Sequence, residues 1–193
     1  MIESAKEYTT IACDPPWFEQ GGGSAGAQNH YQLMKTDKII ELLQNLFKNQ
    51  LRISDNAHLY LWVTVNFLED GLRVAKSLDF RYIRPLIWIK GKLIQTGIGK
   101  ILRLDQMGLG QYFRGSMEMC LFCVKGKLPT QTKNCRDIFF EHRREHSKKP
   151  EIFYEIVQQQ SPGNYIEIFS RTKRKGWDNW GNEADNTQKE LFT

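Results

Sequence analysis

The sequence predicts an α/β layer fold, with a mostly parallel central sheet and helices on both of its faces. Short β-branched and apolar runs alternate with stretches of helical periodicity. Proline, glycine and capping residues mark the joints between them, and only the runs near 82 and 124 lack an intervening helix, which predicts one antiparallel pair there. At 193 residues and 40% hydrophobic, the chain has material for one sizeable core. A single domain over 1–183 with a polar tail at 184–193 is expected.

The elements follow in order. Tyr8 to Cys13 (YTTIAC) is β-branched and apolar and runs into Asp14-Pro15-Pro16, where proline forbids further pairing, so a buried strand ends at Asp14. Residues 19–29 (EQGGGSAGAQN) lack apolar anchors and read as a mobile loop. Asp37 is placed to cap a helix whose core face is Ile39, Ile40, Leu42, Leu43, Leu46 and Phe47. His58 to Val63 (HLYLWV) reads as a second buried strand. Asn66 is placed to cap the next helix, with Glu69 as the capping-box acid and Phe67, Leu68, Leu72, Ala75 and Leu78 inward.

Tyr82 to Ile89 (YIRPLIWI) is a third strand whose Pro85 points to an edge or a bulge. Six glycines and four cations (Lys92, Lys100, Arg103, Arg114) against Asp105 make residues 91–115 a long basic loop facing the substrate. Met117 to Val124 (MEMCLFCV) is another strand. Pro150 opens a helix with Ile152, Phe153, Ile156 and Val157 on one face, and Ser161-Pro162-Gly163 ends it. Asn164 to Phe169 (NYIEIF) is expected to be the last strand.

Lys and Arg number 27 against 22 for Asp and Glu, a net charge of +5 that suits an anionic partner and equally a plain basic surface. No apolar run reaches the length of a membrane span, and MIESAKEYTT lacks a signal-peptide pattern, so a cytosolic or nuclear protein with reduced cysteines is expected.

The chemistry concentrates at Asp14-Pro15-Pro16-Trp17. Asp-Pro-Pro at a strand end would suit activation of an exocyclic amine on a nucleobase, a poor nucleophile because its lone pair is delocalised into the ring. Two acceptors on its hydrogens would make the nitrogen more tetrahedral. The Asp14 carboxylate supplies one, and the Pro15 carbonyl supplies the other at an angle fixed by the prolines. The carboxylate also gives electrostatic preorganisation. Trp17 offers a face on which an extruded base would stack, a contact of about 1–3 kcal/mol. The competing reading is a strand-ending turn with a buried aromatic.

The ordered set extends further. Asp14-Pro15-Pro16-Trp17 after a buried strand, Tyr31 and Met34, His58 to Val63, and Trp88-Ile89-Lys90 resemble the MT-A70 family of adenine-N6 methyltransferases. Gly108-Leu109-Gly110 with Arg114 and Glu118, Val124-Lys125-Gly126, His146 to Pro150, Glu167 to Arg171, Trp177 and Gly181-Asn182-Glu183 continue it through the C-terminal half. The resemblance covers about Thr10 to Glu183. It implies a Rossmann-like fold binding S-adenosylmethionine, with Lys149 at the methionyl carboxylate, Glu167 and Arg171 at the ribose, Phe169 beside them, and Asn182 with Glu183 near the adenine.

It also implies a target pocket of Tyr31, Trp88 and Lys90, Tyr31 being a base-stacking residue on a closing lid or else a hydrophobic plug. Lys92, Lys100, Arg103 and Arg114 would grip the nucleic acid. Many relatives carry a cofactor-contacting stretch before the catalytic strand; this chain starts too close to Asp14 to include it, and Cys13 is expected to line that side. Thr172 to Lys175 (TKRK) reads as nucleic-acid contact or a solvated turn.

Other motifs weigh less. His142 to His146 fits the H-x-x-E-H zinc pattern, but it abuts Pro150 and shows no third ligand, so no metal is expected. Cys120 and Cys123 would point to opposite faces of a strand and belong to the core. Gly108-x-Gly110 lacks the third glycine of a dinucleotide fingerprint. The expected function is adenine-N6 methylation of DNA, with RNA as the alternative substrate and an inactive nucleic-acid-binding subunit as the alternative class. Homodimerisation would widen the basic surface.

Overall fold

A computed structural model describes residues 6–18, 33–105, 112–143, 148–170 and 172–181. Eight strands and three helices follow in the order β1 (Glu7–Cys13), α1 (Thr36–Asn49), β2 (Arg52–Val63), α2 (Leu68–Ser77), β3 (Arg81–Thr96), β4 (Gly99–Leu104), β5 (Met117–Lys125), β6 (Ile138–Glu141), α3 (Glu151–Gln160), β7 (Tyr165–Ile168) and β8 (Trp177–Trp180). The sheet runs β4-β3-β5-β2-β1-β7-β8, and β6 pairs with β3. Four pairings are parallel and three antiparallel, so the antiparallel share exceeds the single expected pair.

Period-two alternation sorts the apolar residues into two layers. Leu59, Leu61 and Val63 of β2 join Leu121 and Cys123 of β5 against Ile39, Leu43 and Leu46 of α1 and Val74 and Ala75 of α2. Tyr60 and Trp62 join Cys120 and Phe122 on the other face, where α3 adds Phe153, Tyr154 and Val157. The two cysteines therefore lie on opposite faces, as the strand period requires. Gly71 lets α2 sit close on β2: a Cβ there would fall 2.4 Å from the Val63 Cγ1. Burial of each such Leu, Ile or Val contributes about 1.5–3 kcal/mol.

Several local expectations are corrected. Helix α1 begins one residue before Asp37, its cap is Lys35 without a side-chain bond, and Asp37 instead ion-pairs with Arg73 of α2. Asn66 lies inside a 3₁₀ turn (Val65–Phe67), so α2 starts at Leu68 without a capping box. Neither helix start carries a side-chain cap bond, and the buried faces Ile39, Leu43 and Leu46 of α1 and Val74 and Ala75 of α2 hold the helices in place.

Residues 91–104 are not a loop. Strand β3 continues past Lys90 and pairs with β4, Lys92 opposite Arg103 and Leu93 opposite Leu102, as a hairpin arm. Gly91 makes its base narrow: a Cβ would lie 2.4 Å from the Arg103 carbonyl oxygen. Tyr82 and Arg84 flank a register shift against β5, the bulge that Pro85 announced. Strand β7 is followed by β8, and β6 completes the sheet beside β3; β6 (IFFE) and β8 (WDNW) are as short as β7 (YIEI) but lack its apolar–polar alternation.

Candidate active site

Strand β1 lies between β2 and β7, parallel to both, so the chain leaves β1 toward one side and returns on the other. Such a switch point opens a crevice beyond the carboxyl ends of the strands, where open α/β sheets bind ligands. Asp14 sits there, its N–H donating to the Ile168 carbonyl at 3.3 Å.

The loop after Asp14 is held by its own backbone. Trp17 N–H donates to the Pro15 carbonyl at 2.9 Å, and Met34 N–H to the Pro16 carbonyl at 2.8 Å. The Pro15 oxygen keeps its second lone pair. Trp17 is only 6% exposed, stacks on Phe67 with ring centroids 5.6 Å apart, and donates its indole N–H to the Trp62 carbonyl at 3.0 Å. This ring is not open to a base. The stacking role expected for it is corrected to an anchor that locks Asp14-Pro15-Pro16 onto the end of β2.

A chain of alternating charges crosses the site. Lys149 Nζ lies 2.9 Å from Asp14 Oδ2 and 3.1 Å from Glu118 Oε2, and Lys90 Nζ lies 2.9 Å from Glu118 Oε1. Each lysine also lies over a tryptophan, Lys149 4.9 Å from the Trp62 ring centre and Lys90 5.6 Å from that of Trp88. Burial disfavours the charge on Lys149, yet Asp14 and Glu118 outweigh it and hold the ammonium well above its ordinary range. For Glu118 burial opposes ionisation, and Lys149 and Lys90 override it, keeping the carboxyl below its ordinary value. Lys149 is thus a permanent cation, two of its three donors spent on carboxylates.

Beside this chain opens a cavity of 260 Å³ lined by Asp14, Lys149, Glu151, Tyr154, Glu167 and Phe169, with Lys148, Thr172, Lys173 and Arg174 at its edge. Tyr154 donates its hydroxyl to Glu167 Oε1, and Ser170 donates to Glu167 Oε2 at 3.4 Å. Burial pushes the Glu167 carboxyl above its ordinary value against those donors. Arg174 covers the Tyr154 ring at 3.4 Å and pairs with Glu151, while its Nε is buried with no hydrogen-bond partner among the described residues. Phe169 turns the chain with φ of 63°, a left-handed backbone that costs a side-chain-bearing residue about 1–2 kcal/mol.

The structure brings together Asp14, Lys149, Glu167 and Phe169 of the residues expected at the cofactor. Cys13 is corrected: its thiol is 1% exposed in the core and does not line the cavity. Trp88 is also corrected, being 2% exposed with its indole N–H on the Glu141 carbonyl at 2.8 Å. Lys90 is spent on Glu118. Lys92, Lys100, Arg103 and Arg114 are exposed, the first three on the arm. Tyr31, Arg171, Asn182 and Glu183 lie outside the described residues, as do Gly108-x-Gly110 and most of His142 to His146.

Sequence reasoning missed Tyr154, took in Arg174 only as part of Thr172 to Lys175, and named Glu118 without a role. The spacing Glu151-x-x-Tyr154 behind Pro150 was the available signal, since i and i+3 share a helix face. Within Thr172 to Lys175, Lys173 and Arg174 border the cavity, so that stretch is more than a solvated turn. His142 donates Nδ1–H to Asp105 Oδ1 over 2.6 Å, and no metal-binding cluster occurs among the described residues. No described helix is long and apolar enough to cross a membrane.

A carboxylate at the switch point, a buried lysine against it and an acid on the neighbouring parallel strand define a polar ligand crevice on a Rossmann-like sheet. The MT-A70 family model matches residues 8–183, and the protein belongs to that family. The chain is 26% identical over 206 aligned positions to the type II methyltransferase M.MunI of Mycoplasma sp, covering 97% of this chain and 82% of that protein. It is 26% identical over 184 positions to the human N(6)-adenosine-methyltransferase catalytic subunit METTL3, covering 93% of this chain but 28% of that one. A Drosophila melanogaster N(6)-adenosine-methyltransferase MT-A70-like protein is 27% identical over 185 positions, and 27% of its length is covered.

Proposed function

We propose that this protein transfers a methyl group from S-adenosylmethionine to the N6 amine of adenine in DNA. One observation carries the reading: Lys149 holds Asp14 through Oδ2, which leaves Oδ1 open among the described residues at the end of β1. Asp14 Oδ1 and the second lone pair of the Pro15 carbonyl accept the two amine hydrogens and draw the nitrogen toward a tetrahedral shape. Positioning then supplies much of the rate.

The cavity residues fit the donor. The third N–H of Lys149 suits the methionyl carboxylate, and Glu167, fixed by Tyr154 and Ser170, suits paired ribose hydroxyls. The buried Nε of Arg174 offers one more donor. The sulfonium supplies an electrophilic methyl when bound.

DNA is preferred over RNA because the match to the type II methyltransferase M.MunI runs over most of that protein, whereas the N(6)-adenosine-methyltransferases are matched over about a quarter of theirs. An inactive binding subunit fits less well with an intact Asp14–Lys149 pair. The test is incubation with a labelled methyl donor and separate DNA and RNA pools, followed by nucleoside analysis. Label in N6-methyladenine from DNA is expected. Label only from RNA reverses the substrate assignment, and label in neither refutes the reading.

A further inference from the structure

A second cavity of 240 Å³ opens on the α3 face of the sheet, away from Asp14 and Lys149. Helix α3 separates the two, carrying Glu151 and Tyr154 to the first and Ile156 and Gln160 to the second. The second has an apolar floor of Tyr60, Leu86 and Phe122, all under 9% exposed. At its wall the Gln160 side-chain Nε2 is buried with no hydrogen-bond partner among the described residues, while the Gln160 main-chain carbonyl is already taken by Gln131 N–H at 2.8 Å. A buried donor left without an acceptor is uncommon in folded proteins and asks for an explanation.

The rim is cationic. Arg84 is neutralised by Asp137 at 3.1 Å, but Lys133 and Arg136 are exposed and form no ion pair among the described residues. Apolar floor, one convergent amide and two cations are the lining of a small-molecule site. The volume falls below the roughly 300–1,000 Å³ of pockets for drug-sized ligands, which limits the occupant to one flat ring system with a single anionic group.

We propose that this cavity binds a small aromatic anion, with its ring on the Tyr60–Leu86–Phe122 floor, an acceptor on the Gln160 amide and its charge between Lys133 and Arg136. The inference does not depend on the methyl-transfer reading, since none of these residues belongs to that site.

The test is an amide-resolved NMR titration of the ¹⁵N-labelled full chain with 1-naphthoate as the probe. Saturable shifts are expected at the Gln160 side-chain amide and over residues 130–136, with Phe169 unmoved. The double variant K133Q/R136Q changes only exposed side chains, so its fold should persist while affinity falls about tenfold. The uncharged 1-naphthalenemethanol should bind about tenfold more weakly than naphthoate to the unsubstituted chain. Competition separates two sources of the chemistry. Displacement of the probe by adenosine 5′-monophosphate but not by a single-stranded oligonucleotide assigns the cavity a free ligand, and displacement by both assigns it an unpaired base of a bound strand. Absence of saturable shifts, shifts confined to the β3–β4 arm, or unchanged affinity in the double variant overturns the proposal.

Discussion

Lys149 and Lys100 show how differently the molecule uses one residue type. Lys149 is 11% exposed, lies over Trp62 and is shared between Asp14 and Glu118. Lys100 stands on an arm whose β4 strand is exposed along nearly its whole length, and it forms no ion pair among the described residues. The first is held where desolvation makes an unpaired charge costly, so removing a partner is felt throughout the site. The second is solvated and screened, and its removal is felt by an anion arriving from outside. The same contrast holds for the aromatic and apolar residues: Trp17 is locked into the core, while Leu93, Ile98 and Ile101 of the arm are 54%, 94% and 45% exposed.

The sharpest test of the locked region is Trp17→Ala. Loss of a buried Trp from a core costs about 3–5 kcal/mol, so a large drop in Tm is expected along with lost activity. A variant as stable as the parent would return Trp17 to the substrate. Asp14→Ala should keep the fold but lower kcat about 100–1,000-fold, on the scale of losing one preorganised electrostatic contact. Single-turnover methylation by a protein with unchanged circular dichroism checks this.

Glu118→Gln tests whether the charge chain acts as a unit. It leaves Lys149 and Lys90 with one fewer anion between them, and about 2 kcal/mol of stability should be lost, less than the roughly 3–5 kcal/mol of a fully buried pair because Glu118 is 28% exposed. Denaturant unfolding measures it, and a loss confined to activity would show that Asp14 alone suffices to hold Lys149.

A pH effect should come from His58, which is fully buried and held between Ser161 Oγ at 2.7 Å and the Leu128 carbonyl at 2.9 Å. Nε2 donates to Leu128, so Nδ1 accepts from Ser161, whose oxygen in turn meets the Tyr60 hydroxyl at 2.7 Å. Burial holds this imidazole below its ordinary 6.5, against the pull of the Leu128 bond. The unfolded chain then takes up a proton that the folded chain excludes. Stability is complete above about pH 6.5 and declines as pH falls through that value toward the folded pKa. Unfolding midpoints measured across pH 5 to 8 should show the decline, and His58→Gln should flatten it.

The smallest effect on stability belongs to the exposed cations, three on the arm and Arg114 beyond it. Replacing Lys92, Lys100, Arg103 and Arg114 with Gln should change unfolding by less than about 0.5 kcal/mol per site. It should flatten the salt dependence of DNA affinity, because fewer counterions are released. A retained salt slope would move the nucleic-acid grip elsewhere.

Much of the site was legible because its parts are local. A β-branched run ending in Asp-Pro-Pro fixes where a strand must stop, so Asp14 was found as a strand-end residue, and Pro150 fixes where α3 begins, just after the Lys149 that the family resemblance singled out. The two core faces were legible from period two in β2 and β5. The short strands β6 (IFFE) and β8 (WDNW) carry no alternation, whereas the equally short β7 (YIEI) does and was found. The arm was hidden because glycines at 91, 97 and 99 signal a loop, while the pairing of Lys92 with Arg103 is a cross-strand fact.

Local chemistry therefore determined the layer class and the carboxylate at the end of β1, and the family resemblance pointed to the lysine beside it. Only the tertiary structure decided which way the tryptophans face. An indole suits a base or a core equally well, and Trp17, Trp62 and Trp88 became anchors and lysine platforms because Phe67, Phe153 and the Glu141 carbonyl meet them there. The same holds for Glu118, an ordinary strand acid until two lysines, 28 residues upstream and 31 downstream in sequence, converge on its two oxygens. Burial and long-range charge pairing are properties of the packed chain, and no window of sequence contains them.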